Sequence, residues 1–175
     1  MTAMQTKALA WLSLLAGVLL ASGCGFHLQG SGSLPEGMRK FYVITADQVT
    51  PFAVELRRAI ERSGGQLTNT SAEADTVVRI QRDRSGRRVL SVSARNTPQE
   101  FEIFYVVEYS IDRAGKEVVP RQRLELTRNI SFDESQLLAK DREEQILRDA
   151  MARDLAGQVL RRLASLPPAQ SDPSR

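Results

Sequence analysis

The sequence predicts an α+β fold, a two-layer sandwich in which two helices pack on one face of a mostly antiparallel four-stranded sheet. Apolar residues recur at every second position between 101 and 111, which is the period of a strand. Two other segments repeat apolar residues every three or four positions, as amphipathic helices do. The order of elements is strand, helix, three longer strands and helix, and two such helices can cover one face of a sheet. This order leaves open whether any strand pair is parallel.

The chain begins with a segment that is organised like a secretory signal peptide. Lys7 precedes an uncharged apolar run of about 14 residues, and small residues then lead to Cys24, the single cysteine of the chain. The run is shorter than the roughly 20 residues that a spanning helix needs. A lone cysteine in an exported chain cannot form an internal disulfide, which disfavours an ordinary structural thiol. The position indicates a lipobox in which Cys24 is acylated, although Ala21 stands where such motifs usually have leucine.

Composition divides the chain into four segments around one domain. We expect a signal peptide over 1–23, a lipidated N-terminus and glycine- and serine-rich tether over 24–36, a single α+β domain over 37–167, and a disordered tail over 168–175. The formal net charge of the chain is only +3, so bulk binding to nucleic acid is not indicated.

The domain is predicted to begin with a strand and a capped helix. Phe41–Thr45 is rich in the β-branched and aromatic residues that favour strands. Thr50–Pro51 then begins a helix, because threonine can accept hydrogen bonds from first-turn amides and proline at the first position loses none. Gly64–Gly65 ends it. The apolar face of this helix carries Phe52, Leu56, Ala59 and Ile60.

A hairpin and two further strands are predicted next. Thr76–Ile80 and Val89–Ala94 are expected to form a hairpin that turns at Ser85–Gly86. The strand from Phe101 to Ile111 has the clearest alternation. After a turn at Ala114–Gly115, the last strand runs from Arg123 to Phe132 with Leu124, Leu126, Ile130 and Phe132 on one side.

A long amphipathic helix is expected over Ala139–Leu166, ended by Pro167–Pro168. Its apolar positions are Ile146, Leu147, Ala150, Met151, Leu155, Val159 and Leu163. With both helices on one face, the other face of the sheet would stay partly apolar through Phe104 and Val106. An exposed apolar face implies a partner or a lipid ligand, unless loops cover it.

The sequence contains no catalytic or metal-binding constellation, and no cofactor is expected. His27, the only histidine, lies in the tether, where a site would lack rigid support. Glu102 and Glu108 are about 20 Å apart along a strand, too far for paired acid–base chemistry. We therefore expect a binding protein rather than an enzyme.

Cations are the more informative groups. Arginine predominates over lysine, and a guanidinium holds phosphate or carboxylate with a planar fork. Long cationic side chains beside an apolar face suit an amphipathic anion such as a phosphorylated lipid. Alternatively, each is a solvated charge, some of them paired with Asp83, Glu125 or Asp141. The cations concentrate on three elements, at Arg79, Arg82, Arg84, Arg87, Arg88 and Arg95, then Arg121, Arg123 and Arg128, and finally Lys140.

Three strings resemble one known family. Cys24-Gly25-Phe26-His27-Leu28-Gln29-Gly30 is similar to the start of mature members of the LptE family, the lipopolysaccharide-assembly lipoproteins of Gram-negative outer membranes, with Gln29 in place of a frequent arginine. Arg95-Asn96 and Leu138-Ala139-Lys140-Asp141 are weaker matches. Together with the order of elements, the resemblance covers essentially all of the mature chain.

The resemblance implies a partner and a ligand without catalysis. LptE-like proteins sit inside the LptD β-barrel as a 1:1 complex, assist its assembly and bind lipopolysaccharide during delivery to the outer leaflet. This implies an outer-membrane lipoprotein with its domain in the periplasm and barrel lumen. The residue after Cys24 is Gly25, and not the aspartate that retains lipoproteins in the inner membrane of many bacteria. By the matching strings, Arg95 and Lys140 are the first candidates for lipopolysaccharide contact. Weaker candidates are Arg79, Arg82, Arg84, Arg87, Arg88, Arg121 and Arg128.

Two other functions are compatible with an anchored, non-catalytic domain. One is a lipid-anchored adaptor or activator of a periplasmic cell-wall enzyme, which is disfavoured by the short tether. The other is a soluble periplasmic lipid carrier, which an anchor would prevent from shuttling.

Overall fold

The computed structural model describes residues 34–35, 37–131 and 137–168. The predicted signal peptide, Cys24, nearly all of the tether and the tail beyond 168 lie outside these residues, as does Phe132. The elements in chain order are β1 Lys40–Ile44, α1 Pro51–Arg62, β2 Gln66–Leu67, β3 Thr76–Val92, β4 Pro98–Arg113, β5 Lys116–Ser131 and α2 Leu137–Ala164.

The strands form one mixed sheet, in the order β2-β1-β3-β4-β5. β1 pairs in parallel with β2 and β3, whereas β3, β4 and β5 are antiparallel neighbours. The predicted α+β class and two-helix layer are confirmed. The sheet has five strands instead of four, because the two residues Gln66–Leu67 after α1 add a short edge strand.

α1 begins and ends where the sequence predicts. The side chain of Thr50 accepts a hydrogen bond of 3.2 Å from the amide of Ala53, and Pro51 occupies the first turn. Gly64 has φ of +86°, a left-handed conformation that glycine adopts without steric cost. The buried side of α1 is Phe52, Ala53, Leu56, Ala59 and Ile60.

The predicted hairpin at Ser85–Gly86 is wrong. β3 is a single strand of 17 residues that runs straight through this pair, and Gly86 lies opposite Phe104 of β4. The chain turns later, between Ser93 and Thr97, where Asn96 adopts φ of 61° and the amide of Ser93 donates to the carbonyl of Thr97 at 2.8 Å. A serine–glycine pair favours a turn locally, but the long β4 offers backbone partners along its whole length.

α2 lies antiparallel to β5 on the same face of the sheet as α1. Near its start Glu144 contacts Arg87 of β3, and beyond its end the carbonyl of Pro167 accepts a hydrogen bond from Arg113 at the far end of β4. The core between the layers includes Phe41, Phe52, Leu56, Tyr105, Ile111, Met151, Leu155 and Leu163. Ile146 was expected on the apolar stripe but is 61% exposed, and the fully buried apolar residues of this helix begin at Met151.

A β-bulge in β3 decides which side chains face the helices. The register against β4 shifts between Ile80 and Arg82, so the alternation of the strand is interrupted there. Val78 and Ile80 face the helices before the bulge, and Asp83 does so after it, bonded to Thr50 of α1. The even-numbered residues from Arg82 to Arg88 are therefore directed to the opposite side.

Candidate functional site

The face of the sheet opposite the helices, called the open face below, carries most of the candidate arginines. Three paired strands supply it with six arginines interleaved with carboxylates. The side chains of the five that form ion pairs are 46–60% exposed. The arginines are Arg79, Arg82, Arg84, Arg88, Arg121 and Arg123, and the carboxylates are Glu102, Glu108, Asp112 and Glu125.

Glu108 is the centre of this network. Its register partners are Arg82 on β3 and Arg123 on β5, whose guanidinium nitrogens lie 3.5 and 3.7 Å from its carboxylate. Arg121 pairs with the second carboxylate oxygen. Three cations thus surround one buried anion, and each keeps further N–H donors directed to solvent.

The remaining open-face arginines differ in their partners. Arg79 pairs with Asp112 at 2.9 Å, and Arg88 pairs with Glu102. Arg84 is exposed and makes no ion pair with any carboxylate in the described part of the chain.

Phe104 lies at the middle of the open face, between two guanidiniums. The carbons of the Arg84 and Arg88 guanidiniums are 5.8 and 6.0 Å from the centre of its ring, within cation–π range. The ring reaches across to Gly86, where a β-carbon would lie 2.7 Å from its Cζ atom. A larger residue at this position would force the ring or the strand to shift. Val106, the other apolar residue expected on this face, is buried.

Two weaker candidates lie on the helix side instead. Arg87 pairs with Glu144 of α2 at 3.1 Å and packs over the ring of Phe101 at 5.1 Å. Arg128 of β5 lies 4.0 Å from Asp154 of α2. A polar cleft of about 440 Å³ opens beside Arg87 and Glu144, between α2, β3 and the start of α1.

The two first candidates lie toward one end of the molecule. Arg95 is in the β3–β4 turn, and Lys140 is in the first turns of α2, which starts near that end of the sheet. Lys140 pairs with Glu143 at 2.9 Å and its side chain is 17% exposed. Exposed aliphatic residues accompany them, namely Val89, Leu90 and Val92 on β3 and Leu138 and Ile146 on α2.

A buried polar cluster joins the sheet to α1. The Tyr105 hydroxyl accepts a hydrogen bond from the amide of Phe52, and Thr50 donates to Asp83. Burial raises the pKa of the Asp83 carboxyl, although hydrogen bonds from Thr50 and Tyr105 act in the opposite direction. Burial and the charge of Asp83 also raise the pKa of Tyr105, so its hydroxyl remains a donor at neutral pH. This cluster is structural, because the helix start uses its groups.

Within the described ranges, no three histidine, cysteine, aspartate or glutamate side chains are grouped as metal ligands. The helices described there include none with the length and apolarity to span a bilayer.

The residues that the sequence reasoning missed are those that organise the face. The sequence identifies Arg123 as a cation but not as a ligand contact, and it excludes paired acid–base chemistry at Glu108 without giving this residue another role. The alternation Arg121, Arg123, Glu125 on β5 was a usable signal, since these residues share one side of a strand.

Known proteins resemble this chain in sequence and in structure. The family model described as LptE, lipopolysaccharide-assembly, matches residues 38–163. The LPS-assembly lipoprotein LptE of Pectobacterium atrosepticum is 25% identical over 161 residues, which cover 90% of this chain and 86% of that protein. That of Yersinia pestis is 25% identical over 91% of this chain and 78% of its own length.

Solved structures show the same architecture. The solution structure of lipoprotein B from Nitrosomonas europaea has a TM-score of 0.66 and 30% identity, covering 80% of this chain and 90% of that one. The crystal structure of rare lipoprotein B from Shewanella oneidensis has a TM-score of 0.63 and 24% identity, covering 73% and 95%. Since the family match spans most of the sandwich, from Met38 before β1 to Leu163 in α2, the chain belongs to the LptE family of lipopolysaccharide-assembly lipoproteins.

Proposed function

We propose that this protein is an outer-membrane lipoprotein that binds the LptD β-barrel as a 1:1 complex, assists its assembly and takes part in delivering lipopolysaccharide to the outer leaflet. The observation that carries this proposal is the family match over residues 38–163, which lies downstream of a cysteine placed for lipidation. Members of one family that share a fold over this length commonly share their partner.

The proposed anchor rests on the apolar segment that leads to Cys24. Signal peptidase would remove residues 1–23, and acylation of Cys24 would hold residues 24–36 close to the membrane. The domain over 37–167 would then lie in the periplasm and the lumen of the barrel, followed by the tail over 168–175. A tether this short favours a partner in the same membrane, which is where a β-barrel resides.

The ligand site is proposed at the end of the molecule that carries Arg95 and Lys140. Lipopolysaccharide combines phosphate groups with acyl chains, so it requires cations beside apolar surface. Both are present there, because exposed aliphatic residues of β3 and α2 lie on the same elements. The seven weaker candidates are divided by the sheet, with Arg87 and Arg128 toward the helices and the other five on the open face.

Affinity purification from detergent-solubilised outer membranes tests the function. We expect the full-length protein to recover one large β-barrel in equimolar amount. Recovery of a cell-wall enzyme would favour the adaptor alternative, and recovery of no large barrel would refute the proposal. Cys24→Ser is the matched variant for the anchor, and mass spectrometry of the wild-type N-terminus should find an acylated Cys24.

A further inference from the structure

The open face presents partly exposed guanidiniums that are held in place by carboxylates. Both helices pack on the other side, and the open-face guanidiniums are about half exposed although most are held by carboxylates. An arginine held by one carboxylate loses little further rotamer freedom when it binds a second group. The network around Glu108 therefore presents preorganised donors to whatever approaches the sheet.

Phe104 gives this surface an apolar anchor. Its ring stands over Gly86 between Arg84 and Arg88, so its position is fixed by the missing β-carbon and by the two flanking guanidiniums. Arginine and aromatic residues are the types enriched at protein–protein interfaces, and hot spots cluster near the centre of the contact. Phe104 occupies such a position, because charged rows lie on both sides of it along β4.

The signs of the charges distinguish a protein partner from a phosphate-rich one. Carboxylates of Glu102, Glu108, Asp112 and Glu125 alternate with the arginines across the face. A uniformly anionic surface would place negative charge against these acids as well as against the arginines, so it matches the pattern poorly. A small ligand usually binds in a concave site, whereas this face consists of three extended strands. A protein wall that presents carboxylates opposite the arginines is complementary to this pattern.

Arg84 differs from the other open-face arginines in its partners. Among the residues described here it contacts the ring of Phe104 and forms no ion pair, whereas each of the other five open-face arginines pairs with a carboxylate. Six arginines against four carboxylates leave the face net positive, and Arg84 at its centre has no carboxylate of its own in the described residues, so an acidic side chain from outside would complement it.

We propose that the open face is the docking surface for the barrel partner, with Arg84 and Phe104 at its centre and acidic side chains of the barrel wall as their counterparts. This inference rests on the proposed function, since it assigns a face to that partner. Barrel interiors are polar, which suits a charged sheet face better than an apolar one.

Charge reversal at Arg84 tests the assignment in the intact, lipidated protein. Arg84→Glu changes an exposed side chain without an ion pair, so the fold should be retained, as a thermal melt of the variant would verify. We expect Arg84→Glu to reduce the barrel recovered in the outer-membrane purification by about tenfold or more, and Phe104→Ala to reduce it similarly. Arg153→Glu, on the exposed side of α2, is the charge-matched control and should recover the wild-type amount.

The outcomes separate this inference from the function on which it rests. If wild type recovers no barrel, the proposed function fails and the docking surface fails with it. If wild type and Arg84→Glu recover equal amounts of barrel, only the docking surface is refuted. Loss of lipopolysaccharide binding by Arg84→Glu with undiminished barrel recovery would also overturn the inference, because the face would then serve the ligand.

Discussion

The hydroxyl of Tyr105 accepts a hydrogen bond of 3.1 Å from the backbone amide of Phe52, which links the centre of the sheet to the first turn of α1. Both residues are buried, so neither group can be satisfied by bulk water when the bond is removed. The same hydroxyl bonds to Asp83, which in turn accepts from the capping residue Thr50. The start of α1 is therefore held by a chain of buried polar groups.

Tyr105→Phe should destabilise the fold by about 1–3 kcal/mol, because it leaves the amide of Phe52 without its partner in a buried position. Urea unfolding at pH 7 measures this free energy. Tyr42→Phe, at a half-buried position of β1, is the control for removing a phenolic hydroxyl. Equal loss in both variants would argue against a specific role of the Phe52 bond.

Asp83 should make the stability depend on pH. Burial raises its pKa above the ordinary 3.8, so the folded protein holds the proton more tightly than the unfolded chain. The free energy of unfolding then falls as pH rises from 3.8 through the raised pKa, where the folded state must ionise a buried carboxyl. Asp83→Asn removes this loss, so its stability relative to wild type should increase with pH over that window and then level off.

Urea midpoints collected at several pH values would follow this difference. Glu117→Gln, at an exposed position near the start of β5, controls for the removal of one negative charge. A constant difference between Asp83→Asn and wild type across the window would contradict the prediction.

Gly86→Ala should destabilise the protein by about 1–3 kcal/mol, because the added β-carbon would lie 2.7 Å from the ring of Phe104. In a Phe104→Ala background the clash is absent, and alanine loses less conformational entropy than glycine in a strand. The same substitution should then be neutral or stabilising. A double-mutant cycle with chemical unfolding isolates this coupling, and equal costs in both backgrounds would exclude it.

Glu108→Gln should lower the stability of the fold more than replacement of any one of the arginines that pair with it. The change leaves Arg82, Arg121 and Arg123 around a neutral amide, and we expect a loss of about 1–3 kcal/mol of stability. Arg123→Ala removes one exposed partner and should cost less than about 1 kcal/mol. Thermal unfolding at low and at 0.5 M salt would rank the two variants, and the reverse order would show that Glu108 does not organise the network.

Arg95→Glu combined with Lys140→Glu should weaken lipopolysaccharide binding by about tenfold or more, since a hydrogen bond to a charged group contributes about 1.5–3 kcal/mol. The double variant Lys116→Glu and Arg153→Glu reverses the same charge at exposed positions away from that end. A titration with purified lipopolysaccharide compares them. Similar affinities for the two double variants would remove Arg95 and Lys140 from the site.

The elements that the sequence predicts correctly are those specified by neighbouring residues. Thr50–Pro51 and Gly64 mark the two ends of α1 because capping and left-handed termination act within a few residues. The predicted turn at Ser85–Gly86 is wrong because pairing with the distant strand β4 outweighs the local turn preference of these two residues. Gly86 leaves room for the ring of Phe104, and the sequence around Gly86 does not indicate this contact.

The site was predicted as a set of cations but not as an arrangement. Strict alternation along β3 from Val78 would direct Arg82, Arg84 and Arg88 toward the helices and Arg87 away from them. The β-bulge between Ile80 and Arg82 exchanges the two sides for these residues, and no residue type in that stretch indicates a bulge. A strand's faces follow from residue counting only while the pairing is regular.

That irregularity has a consequence for how the protein can change over generations. Loss of one codon near Gln81 would leave every later residue of β3 chemically unaltered but exchange its two sides, placing guanidiniums in the core and Asp83 in solvent. The charge of a whole sheet face thus depends on the number of residues in a strand as well as on their types.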